Sequence, residues 1–237
     1  MNKIYRYELR RLLRNKIFPG ILAVTLFYGW MQLTGEIILG VANTAPFSPW
    51  SYGAYLAALT PLLCLGELFF LTFFVSAQER RVARLTDATP VDRRRYALTR
   101  CAAVLTGSLL LTGAAAALGL VFYARFFGVS PSPGLLPPAL LTLLPTAVFS
   151  LGLGWRLGQR RPALVYAAMA AVVVLCALPL PPALDFSLAA FFESQPRALG
   201  ALDPAFAVPP AVLAGRATYL AAGALLLLAG RKNTRRT

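Results

Sequence analysis

Glu67 is the residue in this chain whose place asks most of chemistry. It lies inside an apolar run, 52–77, about ten residues from the run's basic end, which is ~14 Å deep at the rise of a helix. A carboxyl group at that depth is costly and is a functional candidate by default. Its neighbours Gly66, Leu68, Phe69 and Phe70 bring no cation. The acid is therefore protonated, or it faces a cavity or a subunit interface; a hydrogen-bonded structural acid is the plain alternative. Glu36, near the end of the run 18–40, and Arg216, near the start of the run 211–230, are the other intramembrane polar residues singled out. They are opposite in sign and at the same end of the threading, so a structural ion pair between them is predicted.

The side chains that usually carry intramembrane catalysis are missing. The chain has no histidine, which removes imidazole acid–base chemistry and His-bearing metal sites. Cys64, Cys101 and Cys176 are widely separated, show no metal-ligand spacing, and read as small apolar side chains. No aspartate cluster occurs. No catalytic and no metal-binding residue is predicted, and an enzyme acting on lipids or isoprenoids is the weakest of the readings. No G-x-x-x-x-G-K-[ST] loop occurs either; the stretch Gly152-Leu153-Gly154-Trp155 lacks the lysine. The chain is therefore not expected to hold ATP by that route.

The other informative stretch runs from Gln78 to Tyr96, QERRVARLTDATPVDRRRY. Val82, Leu85 and Thr86 recur at i, i+3, i+4, while Arg80, Arg81 and Arg84 fall on other faces, the pattern of a short amphipathic helix at a membrane surface. Thr89, Pro90 and Asp92 then read as a helix start: a Thr N-cap, a Pro at the first helical position and an acid closing a capping box. A surface helix over 78–89 is predicted, followed by a new helix from Pro90.

The elements that position these residues come from hydropathy and charge. Of 237 residues, 58% are hydrophobic, and the formal charge is +14. Apolar runs at 18–40, 52–77, 98–124, 135–157, 162–181 and 211–230 are each taken as a helix able to cross a ~30 Å hydrocarbon layer. If the gaps alternate between two sides, 20 of the 23 Lys and Arg residues fall on one side, and only Arg125, Arg197 and Arg216 on the other. The positive-inside bias then puts both termini in the cytoplasm. Basic clusters at the ends of apolar runs are anchors to an anionic leaflet and not a nucleic-acid surface. The first run is longer than a signal-peptide core and lacks a small-x-small cleavage site, so a span is predicted there. The fold class is an all-α polytopic membrane protein with six spans, in one membrane domain over 1–237.

Outside the spans, residues 1–17 carry Tyr5, Leu9, Leu12 and Leu13 on one stripe and Arg6, Arg10 and Arg14 on another. They read as a helix lying in the interface, with its apolar side in acyl chains; a basic tail that only sets topology is the other reading. Pro19-Gly20 is expected to redirect the chain into the first span. The segment 181–210 is extracytoplasmic. Within it Phe186–Phe192 is apolar but too short to cross, and is either a short helix capped by Asp185 or Ser187 or an irregular loop.

With that map in place, Glu79 to Arg95 resembles the corresponding segment of the permease subunits of type-2 ABC exporters. There the second span runs into a glutamate-led short helix, a Thr-Pro-Val turn with following arginines, and the third span. The N-terminal basic helix, the six spans and a longer outer segment before the last span also resemble that family, while the motif-level likeness is confined to about 78–100. The resemblance implies that 78–89 is a cytoplasmic coupling helix docking on a separate nucleotide-binding subunit through Glu79, Arg80, Arg84, Leu85, Asp87, Thr89 and Pro90. It implies a dimer with a second permease copy or a paralogue, ATP and Mg held by the partner ATPase, and export of a hydrophobic or amphipathic substrate. For the individual arginines the other reading is that they are topology anchors only. A non-transporting membrane sensor or scaffold is the alternative function.

Overall fold

The computed structural model describes residues 2–75, 93–130 and 132–229. Among them are eight α-helices and no strand. They are α1 (Asn2–Arg14), α2 (Ile17–Gly35), α3 (Pro49–Val75), α4 (Arg93–Phe127), α5 (Leu136–Arg160), α6 (Leu164–Ala177), α7 (Ala189–Leu199) and α8 (Pro210–Ala229). With the 3-10 turns that extend α2 and precede α5, five stretches are long and apolar enough to cross a membrane: Ile17–Leu39, Pro49–Val75, Thr99–Phe127, Pro133–Arg160 and Pro210–Leu228. By length and composition the chain is a helical, multi-pass membrane protein.

The fifth apolar run, 162–181, makes only the shorter helix α6. Its prolines explain this. Pro179, Pro181 and Pro182 follow closely, and a residue before proline is pushed out of helical geometry. Leu178 is accordingly extended, at φ −70° and ψ 130°, and the helix stops four residues before the apolar run does.

The first bend also differs from expectation. The chain breaks at Asn15-Lys16, where the Asn15 side-chain oxygen accepts from Ile17 N–H (3.1 Å). Pro19 sits inside the first turn of α2, where its missing N–H costs nothing. By contrast, the start of α3 follows simple capping: Ser48 Oγ accepts from Ser51 N–H (3.1 Å), and Pro49 takes the first helical position.

α3 is the centre of the bundle and touches α2, α4, α5, α6 and α7. Tyr55, Leu56, Leu59, Leu68, Phe70 and Leu71 on it are completely buried. Two tyrosines staple it to α4, Tyr52 donating to Ala116 C=O (3.2 Å) and Tyr55 to Ala115 C=O (2.8 Å). α8 packs along α5 at a crossing with no room for a side chain. A Cβ on Gly152 would run into the Gly223 carbonyl oxygen, and one on Gly223 would stand 2.5 Å from that of Val148. Such backbone contact between helices needs glycine on both sides.

A second, smaller core caps the far end of α3. Trp50, Leu188, Phe191, Phe192 and Val212 are buried together there, and Trp50 Nε1–H donates to Pro204 C=O (2.8 Å). The stretch 181–210 thus contains a helix, α7. It begins at Ala189, later than the apolar segment suggested, because Asp185 and Ser187 hold the preceding residues in a capping turn. Asp185 accepts from Ser187 N–H (3.0 Å) and Ala190 N–H (2.9 Å), and Ser187 Oγ accepts from Ala189 N–H (3.3 Å).

Candidate functional site

Three polar clusters interrupt the apolar bundle. The first joins α1 to the facing ends of α3 and α4. Arg100 Nε–H donates to Glu8 Oε1 (3.3 Å), and Tyr96 O–H donates to the same oxygen (3.3 Å). Arg100 also reaches Phe74 C=O (3.5 Å) and lies over the Tyr96 ring, 4.4 Å from its centroid. Both Glu8 and Arg100 are buried. A little further along, Tyr5 and Thr106 share a hydroxyl–hydroxyl bond (2.7 Å), and Leu12 lies so close to Gly107 that a Cβ there would strike it. The apolar stripe of α1 is therefore taken up in good part by α4, where acyl chains were expected. The physical reason is a small residue beside a hydroxyl on α4, which lets a helix approach closely.

This knot joins Phe74, near the last described residue of α3, to Tyr96 and Arg100 in the first turns of α4. Glu79, Arg80, Arg84, Leu85, Asp87, Thr89 and Pro90 lie outside the described residues. Removing one member of a buried, hydrogen-bonded ion pair strands the other. Glu8→Ala is expected to cost about 2 kcal/mol, less than a fully stranded charge because Arg100 keeps the Phe74 carbonyl. Thermal unfolding in detergent checks this, with Glu8→Gln, which keeps an acceptor, expected to recover about half of the loss.

The second cluster surrounds Glu67. Its side chain is 1% exposed, and Ser150 Oγ on α5 donates to Oε2. Ser108 on α4 stands beside the same carboxyl group, whereas Oε1 has no partner. Neither serine carried a sequence signal beyond being a hydroxyl within an apolar run.

The third cluster is Arg216, and here the predicted ion pair with Glu36 does not form. Glu36 is exposed, while Arg216 is 2% exposed and gives its hydrogens to four backbone carbonyls. Nε donates to Leu141 (2.9 Å), one terminal nitrogen to Thr142 (2.9 Å), and the other to Asp185 (3.2 Å) and Phe186 (2.9 Å). The cause is legible in the chain. Pro145 sits inside α5 and has no N–H to give to Leu141, four residues earlier. In a membrane interior that orphaned carbonyl needs a donor from elsewhere, and the guanidinium supplies it along with three others.

The three cysteines are free, with Cys64 and Cys101 buried. Among the described residues no group of three or more His, Cys, Asp or Glu side chains is placed to hold a metal. In comparisons with known proteins, no protein-family model, no curated protein and no solved structure matches the chain.

Proposed function

We propose that this chain is the membrane-spanning permease subunit of an ATP-driven exporter of the type-2 ABC class. The observation that carries the reading is the segment Glu79–Arg95, a glutamate-led basic stretch ending in Thr-Pro-Val, placed between the second and third long apolar helices. The Glu8–Arg100–Phe74 contacts support it, because they join both ends of that segment to α1. A push on the segment would then move α3, α4 and α1 as one lever.

In this reading α6 is the short fifth of six spans, both termini are cytoplasmic, and the protein sits in the cell membrane. α1 lies at the inner surface, its exposed Arg6, Arg10 and Arg14 among lipid headgroups. Residues 78–89 form the coupling helix and 181–210 the extracytoplasmic cap. A separate ATPase subunit holds ATP and Mg, and a second copy or a paralogue completes the transport path. α2 leaves Val24, Phe27, Trp30 and Met31 exposed, an apolar face suited to lipid or to that second permease. Hydrophobic or amphipathic cargo suits the apolar spans.

The test is copurification of the chain from its host membrane with any ABC ATPase subunit, followed by reconstitution of the pair in lipid vesicles. ATP-dependent movement of a lipophilic dye is expected, and Glu79→Ala with Arg84→Ala should cut it at least tenfold. Intact transport in that double variant, or failure of any ATPase subunit to copurify, would remove the coupling role. ATPase stimulation without dye movement would favour a sensor subunit.

A further inference from the structure

We propose that the pocket around Glu67 binds a monovalent metal cation of about sodium's size. Three helices build it. Thr60, Cys64 and Glu67 come from α3, Ser108 and Thr112 from α4, and Thr146 from α5. The centre of a water-sized sphere has ≈10 Å³ in which to move there, about the room that a single water needs. An organic cation does not fit, whereas a bare alkali ion does.

The chemistry of the rim selects a positive guest. Thr60, Thr112 and Thr146 each spend their one hydroxyl hydrogen on a carbonyl one turn earlier, at Leu56 (3.0 Å), Ser108 (2.9 Å) and Thr142 (2.7 Å). What their oxygens have left is lone pairs. Glu67 Oε2 is engaged by Ser150, Oε1 is buried without a hydrogen-bond partner, and the residue lines the pocket. Apart from the Ser108 hydroxyl and the Cys64 thiol, the groups that remain are acceptors without donors, and a cation satisfies several of them together. Their hardness favours an alkali ion over a transition metal. Charge sets the valence. Glu67 is the one acid of the pocket, so a single positive charge balances it, whereas Ca²⁺ sites commonly use several carboxylates. A neutral ion–carboxylate pair is also far less costly in the bundle interior than the carboxylate alone.

Because the ligands come from α3, α4 and α5, the bound ion would lock these helices together. This inference does not depend on the exporter reading, and its test needs neither ATP nor a partner. The full chain is purified in detergent, and unfolding is followed by the fluorescence of Trp30, Trp50 and Trp155 in NaCl, KCl and choline chloride at equal ionic strength. Sodium is expected to raise Tm by about 5 °C over choline, and potassium by less. Glu67→Gln should abolish the difference, and Thr112→Val should weaken the sodium dependence about tenfold. If Glu67→Gln does not fold, Thr112→Val and direct binding of radioactive sodium to the unmodified chain carry the test. No difference between sodium and choline, or the same difference in Glu67→Gln (an adventitious ion only), would overturn the proposal and leave the pocket to a water molecule.

Discussion

Arg216→Met is expected to cost about 4 kcal/mol or more, a large part of the ~5–15 kcal/mol that holds a typical domain folded. A buried charge replaced by an apolar residue is often harmless, because the desolvation penalty disappears with it. Arg216 is a different case. Its partners are main-chain carbonyls of Leu141, Thr142, Asp185 and Phe186, which no side-chain substitution removes. Each acceptor left dry costs about 1–3 kcal/mol. Thr142 keeps a second side-chain donor, Thr146 Oγ1 (2.7 Å). Arg216→Lys keeps the charge but has fewer donors in a different geometry, and about half of the loss should remain. The sharper check is a double-mutant cycle with Pro145→Ala. Restoring an N–H at 145 gives Leu141 a helical partner, so the penalty of Arg216→Met should shrink by about 1 kcal/mol in that background. An Arg216→Met protein with unchanged thermal stability in detergent would show that the guanidinium is dispensable.

Gly223→Ala, a change of one methyl group, is expected to be comparably damaging, at about 3 kcal/mol. The added carbon would meet the Val148 carbonyl oxygen at 2.5 Å and the Phe149 Cα at 2.7 Å. Both belong to the backbone of α5, which cannot rotate out of the way. The α5–α8 pair must separate, and with it the reach of Arg216 to Leu141 and Thr142. Gly113→Ala provides the control. That glycine lies within α4 with nothing inside 4 Å of the new carbon, and alanine there should stabilise by up to about 1 kcal/mol. Equal thermal stability of the two variants would contradict the close crossing.

The long spans were legible because eighteen or more apolar residues leave few other choices, and α3, α4 and α5 begin and end close to the run boundaries. α6 ends short of its apolar run because proline interrupts a helix without adding a charge to the run. Pro179 was the signal for its end. The Glu36–Arg216 pair failed for another reason. Charge sign and depth are visible in a sequence, but the partner of a buried arginine is whatever unsatisfied acceptor lies nearest. The proline inside α5 was the available hint that this acceptor is a carbonyl. Glu67 was recognisable as out of place, yet Ser150 could not have been paired with it without knowing which faces of α3 and α5 meet. Glu8, the acid that gathers Arg100 and Tyr96, sits in a basic segment where the arginine stripe draws the attention.

α6 has a consequence for the surrounding lipid. Fourteen residues make a rod of ~21 Å, well short of a ~30 Å hydrocarbon layer. As a crossing segment it would oblige the bilayer to dimple beside it, drawing headgroups toward the midplane on one flank of the protein. The barrier to anything crossing the layer would be thinnest on that flank.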